Sequence, residues 1–194
     1  MVDSTHHDPA VNSCVTPVTG NRFVLYGDFD GDGQPDTLTE HFFSEIDNRE
    51  TNKYYKDMDY DLQVRLNDQQ EPCSFMTCSN DYIDTLNTGN GGVFGLSWLK
   101  NEGDLNGDGT DEVSYISDWA DWSNLNTCHL VTWRRHRWEE LYRFPINELS
   151  IPDTGDSSGA GTHFPGFIRK IKPGKMMVQF DNMGTPDSAI IRIR

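Results

Sequence analysis

Two nine-residue stretches carry most of the oxygen chemistry of this chain: Asp28-Phe29-Asp30-Gly31-Asp32-Gly33-Gln34-Pro35-Asp36 and Asp104-Leu105-Asn106-Gly107-Asp108-Gly109-Thr110-Asp111-Glu112. Each places oxygen-bearing side chains first, third, fifth and ninth: Asp28, Asp30, Asp32 and Asp36 in one, Asp104, Asn106, Asp108 and Glu112 in the other. A hard cation such as Ca²⁺ takes about six to eight oxygens, backbone carbonyls included. The seventh residues, Gln34 and Thr110, are therefore expected to add their carbonyls. Gly33 and Gly109 stand sixth, where a sharp turn is easiest without a Cβ. Asp, Asn and Gly also build ordinary turns for backbone reasons alone, but two copies with one ligand order favour two calcium sites. Carboxylates crowded into one loop repel, and a divalent ion removes that conflict. Asp111 is either a neighbour of the site or a substitute for Glu112.

The flanks decide what kind of loop this is. An EF-hand needs a bidentate Glu in twelfth place and a helix on each side; here the twelfth residues are Thr39 and Tyr115. What surrounds the loops is β-branched and aromatic: Arg22 to Tyr26 and Thr37 to Thr39 around the first, Val93 to Trp98 and Val113 to Ser117 around the second. A D-x-[DN]-x-D-G-x-x-[DE] loop closing a β-hairpin resembles the calcium loops of FG-GAP repeats in integrin α-subunits and related bacterial repeat proteins. That resemblance covers the two loops and their strands. It implies metal contact for Asp28, Asp30, Asp32, Gln34 and Asp36, and for Asp104, Asn106, Asp108, Thr110 and Glu112. In that family each loop sits in a blade of a β-propeller. A propeller needs about four blades of four strands, more than this chain can supply, so a closed propeller is not expected.

The elements that must hold these loops read as short strands with turn punctuation. The expected strands lie near Asp61 to Leu66, Gly92 to Trp98, Leu130 to Arg134, Trp138 to Phe144, Phe167 to Ile171, Met176 to Phe180 and Ala189 to Ile193, besides the loop flanks. An arm runs to about Asn21, and residues 22–194 form a single domain. Glu45 to Asp59 holds a short helix or a long loop, and Ile151 to Gly166, rich in Gly and Pro, is a loop. The fold class is all-β with minor helix, an antiparallel sheet assembly. Five Trp, seven Tyr and ten Phe in 194 residues supply a large core.

A formal charge of −15 argues against nucleic acid, whose phosphates demand Lys and Arg. Two bound Ca²⁺ would leave about −11, an acidic surface that keeps a protein soluble or steers a basic partner. Arg134 to Arg137 are expected at a hairpin turn, and Arg169, Lys170, Lys172 and Lys175 on a strand edge guarded by charge. No apolar run approaches the length of a membrane span. The start, Met1 to His7, has no signal-peptide core and reads as a mature fragment whose export signal was removed. Weak calcium sites fill outside the cytosol, which supports an extracytoplasmic location. In that setting Cys14, Cys73, Cys78 and Cys128 favour disulfides, with a local Cys73–Cys78 clasp and Cys14 tied to Cys128. The rival, a Cys₄ zinc site, has only one short knuckle here.

Two readings of function follow. The first is an exported, non-catalytic calcium-binding β-domain that binds a protein or glycan, one form being a periplasmic inhibitor or immunity-type protein. Trp119, Asp121 and Trp122 are its candidate partner-binding residues, although tryptophans so spaced are more often core. The second is a calcium-dependent hydrolase using Asp118 and Asp121 with His129 or His163; its groups would have to converge in one cleft. Gly155-Asp156-Ser157-Ser158-Gly159 matches G-x-S-x-G without the strand and helix that motif requires.

Overall fold

The computed structural model describes residues 16–19, 23–44, 49–50, 53–56, 72–90, 93–119, 123–151 and 166–194. Among them the regular structure is strand, apart from one 3-10 turn at Glu148–Ser150, so the expected minor helix reduces to that turn. The burial of one strand explains the layering. β9, Glu112–Trp119, is buried at its first six positions, Glu112 to Ser117. Strand side chains alternate between faces, so both faces of this strand are covered. Val113 and Tyr115 join one core with Phe29, Leu38 and Met76; Ile116 joins a second with Leu130, Met176 and Val178.

Three antiparallel sheets account for the two cores. The first has the order β2 (Val24–Gly27), β3 (Asp36–Ser44), β6 (Pro72–Cys78) and β7 (Leu86–Asn90), with β4 (Arg49–Glu50) paired to β3. The second is a meander of β8 (Val93–Gly103), β9, β10 (Leu125–Arg134) and β11 (Arg137–Asn147). The third comprises β12 (Ile168–Lys172), β13 (Lys175–Asn182) and β14 (Thr185–Arg192). The second sheet lies between the other two, and the described strands close neither a barrel nor a propeller. Polar groups pin the first interface. Buried Glu40 accepts from the Phe23 amide at 3.1 Å on its own sheet and from the Leu96 amide at 2.8 Å on the next. Ser117 donates to the Thr88 carbonyl across the same gap.

Several local expectations change. The stretch from Glu45 to Asp59 contains two short strands, β4 and β5 (Lys53–Lys56), and the latter pairs with β1, Thr16–Thr19, inside the expected arm. Thr and Val in one and two Tyr in the other favour pleated backbone over helix. The strand expected at Asp61 to Leu66, the loop at 152–165 and the G-x-S-x-G match all lie outside the described residues. The basic run at Arg134 to Arg137 does form a hairpin turn, with Arg135 and His136 at φ of 54° and 60°.

The Cys73–Cys78 clasp is not made. Both residues belong to β6, and an extended strand separates Cα atoms five residues apart by about 16 Å, far beyond the roughly 7 Å a disulfide tolerates. Cys78 and Cys128 are free, so the pairing expected between Cys128 and Cys14 is not made either; Cys14 itself lies outside the described residues. Burial raises the pKa of both free thiols and keeps them protonated.

Candidate metal site

Both acidic loops close hairpins, the first between β2 and β3 and the second between β8 and β9. Their hydrogen bonds follow one plan. The first-place carboxylate caps two amides: Asp28 accepts from Gly31 and Gly33, both at 2.9 Å, and Asp104 from Gly107 at 2.5 Å and Gly109 at 3.3 Å. The third- and fifth-place side chains each accept from the amide two residues on, Asp30 from Asp32, Asp32 from Gln34, Asn106 from Asp108 and Asp108 from Thr110. The fourth and sixth glycines of both loops have φ between 78° and 96°, a region that favours glycine.

The second and ninth places bind each loop to the core. Phe29 and Leu105 are buried, one in each hydrophobic cluster. Their amides donate to the ninth-place carboxylates, Phe29 to Asp36 at 3.1 Å and Leu105 to Glu112 at 2.6 Å. A buried apolar side chain in second place therefore fixes the turn that the carboxylates line.

In the first loop Asp28, Asp30 and Asp36 each bring a carboxylate oxygen within 4.8 Å of the other two. Asn80, from the connection between β6 and β7, donates to Asp30 at 2.9 Å and braces this group from outside the loop. Nothing in the sequence signals that role, because Asn80 lies fifty residues from its partner. In the second loop the Asn106 amide nitrogen stands between Asp108 and Glu112, 2.9 Å from each. Thr132, buried on β10, is the corresponding brace, 3.2 Å from the Thr110 hydroxyl.

The ninth-place carboxyls are the electrostatically costly ones. Burial pushes Asp36 up, against the Phe29 amide, and the charges of Asp30 and Asp32 add to it. Glu112 is fully buried, and desolvation drives its pKa up to about 7 despite the Leu105 and Asn106 amides. Burial acts on Asp108 in the same sense, but the Thr110 hydroxyl and amide, with Asn106, outweigh it and hold that pKa low.

Asp111 reaches out of its own loop. Its amide donates to the Asp28 carbonyl at 2.8 Å, and its carboxylate accepts from the Asp28 amide at 3.1 Å and from Asn101 at 2.8 Å. It ties the second loop to the first. In the third sheet the Pro173-Gly174 turn takes the equivalent place, with Gly174 donating to the Leu105 carbonyl at 2.9 Å. Asp111→Ala strands the Asp28 amide and removes one Asn101 bond, leaving that side chain its bonds to the Tyr26 carbonyl and the Gly103 amide, a predicted loss of about 1–3 kcal/mol. Thermal melts should show that loss equally in calcium and in chelator; a loss confined to calcium would make Asp111 a ligand instead.

The other predicted residues do not gather. Trp119 ends β9 and is 42% exposed, so it is not core; Asp121, Trp122 and His163 lie outside the described residues. His129 stacks on Tyr115 at 4.9 Å and binds Glu140 at 2.6 Å. Asp118 shares its face of β9 with Ile116, the face opposite Tyr115 and His129, so these two candidates for hydrolysis look away from each other. Compared with known protein families, with curated proteins and with solved structures, the chain finds no match.

Proposed function

We propose that this is an exported, non-catalytic β-domain in which two FG-GAP-like loops each hold one Ca²⁺, and that it recognises a protein or glycan. The observation that carries the reading is the triad of Asp28, Asp30 and Asp36 within 4.8 Å. Ligands on one Ca²⁺ lie about 2.3–2.6 Å from the ion, so two of them stand at most about 5 Å apart, and the spacing fits. Asp32 and the Gln34 carbonyl complete the proposed set. In the second loop the ligands are Asp104, Asn106, Asp108, Glu112 and the Thr110 carbonyl. Asn106 must exchange its amide nitrogen for its oxygen there, since a donor repels the cation. Exposed Trp119 offers an aromatic surface directly after the second calcium hairpin.

Native mass spectrometry of the protein titrated with Ca²⁺ tests the reading: two ions should bind, with Asp28→Asn removing one and Asp108→Asn the other. No bound ion at millimolar calcium would reduce both loops to plain turns.

The Glu112 carboxyl adds a pH signature. Its folded pKa, about 7, lies above its ordinary value near 4.5. The stability it contributes is therefore fully present below about pH 4.5 and lost as pH rises through 7. In chelator the melting temperature should fall between pH 5 and about pH 7.5, and Glu112→Gln should flatten that fall. Calcium favours the ionised carboxylate and should oppose it. A chelated profile identical in the wild type and Glu112→Gln would mean the buried carboxyl does not titrate there.

A further inference from the structure

The chain is acidic overall, yet the outer face of its third sheet is cationic. Lys172 pairs with Lys175, and Lys175 with Arg192, so three cations stand in a row across three adjacent strands. Arg169, Met177 and Ile190 are partners on a neighbouring rung. Met176 and Val178 point into the core, which turns Lys175 and Met177 outward. Arg169, Ile171, Lys172, Ile190 and Arg192 are exposed, and no carboxylate stands among these outward positions. The ion pairs of the described lysines and arginines lie elsewhere, at Lys100, Arg134, Arg137 and Arg143. Like charges directly opposite on adjacent strands destabilise a sheet, and an anionic surface laid on this face would relieve that repulsion.

We propose that the outer face of the third sheet docks on an anionic lipid surface. Strands about 4.8 Å apart spread the cationic row over roughly 10 Å of flat sheet. Ile171, Met177 and Ile190 give it an aliphatic centre, and the long Lys and Arg stems let their charged ends reach lipid phosphates while the aliphatic groups enter the headgroup boundary. A protein partner would more often engage aromatic anchors, and this face has none. Two copies meeting through it in a symmetric dimer would set each cationic row against itself. The second acidic loop meets this sheet at the Pro173-Gly174 turn, at one end of the face; exposed acids more than about 8 Å away are largely screened at physiological salt.

Co-sedimentation of the full chain with vesicles tests this. The protein should bind vesicles of mixed phosphatidylglycerol and phosphatidylcholine, not pure phosphatidylcholine, and should be released by high salt. At about fivefold per cation, Lys175→Gln with Arg192→Gln should weaken binding roughly twenty-five-fold. The pair Lys172→Gln with Arg169→Gln should do the same, whereas Arg137→Gln, on the β10–β11 turn, should leave it unchanged. Melting temperatures no lower than that of the wild type would establish that the variants fold. No partition onto the mixed vesicles, or undiminished wild-type binding by both double variants, would overturn the proposal. Binding to soluble heparin without binding to vesicles would overturn it in favour of an anionic glycan.

Discussion

Chelation is expected to lower the melting temperature of this protein by roughly 10–20 °C relative to millimolar calcium. A ligand present at about one hundred times its dissociation constant stabilises the folded state by about 2.7 kcal/mol, and two sites double that. Each kcal/mol shifts the midpoint of a domain this large by about 2–4 °C. The origin of the effect lies in the ninth-place carboxyls: Asp36 and Glu112 are buried, and burial disfavours their charge. A bound cation converts that desolvation into attraction. Asp32→Ala or Asp108→Ala should each remove about half of the shift while changing the chelated melt little. An unchanged melting temperature on adding calcium would end the two-site proposal.

Phe29→Ala is the second large effect. The side chain is fully buried in the core between the first and second sheets, and such truncations cost about 3–5 kcal/mol. The loss should lower the melting temperature by roughly 6–20 °C. Because the Phe29 amide also positions Asp36, the same variant should weaken calcium at the first loop and spare the second. Leu105→Ala should reverse that pattern at about 2–5 kcal/mol. Melts and ion counts on the two variants check this directly. Equal weakening of both sites by either variant would show that the loops act as one unit, joined through Asp111.

Glu40, Asn80 and Thr132 mark the limit of what local sequence can reveal. Each is an ordinary polar residue in a strand or connection, and each becomes structural only where another segment arrives. Asn80 reaches Asp30 across fifty residues and Glu40 reaches Leu96 across fifty-six. The cysteines show the converse error: nearness in sequence suggested a clasp, and the extended backbone of β6 keeps Cys73 and Cys78 apart.

The sequence by itself determined the two loops, their glycine turns and the hairpins that carry them. Their bonds span two to seven residues, so residue type and spacing are enough. The all-β class was equally legible, in short β-branched and aromatic runs separated by turn residues. Only the tertiary structure decided that the sheets stack with the meander in the middle, and that Asp111 joins the two loops by binding Asp28, eighty-three residues away. It also placed Trp119 at the surface and aligned Lys172, Lys175 and Arg192 into one row. The physical reason is range: turn chemistry is satisfied within a few residues, whereas face-to-face packing is set by burying apolar surface between distant strands, and burial is non-directional.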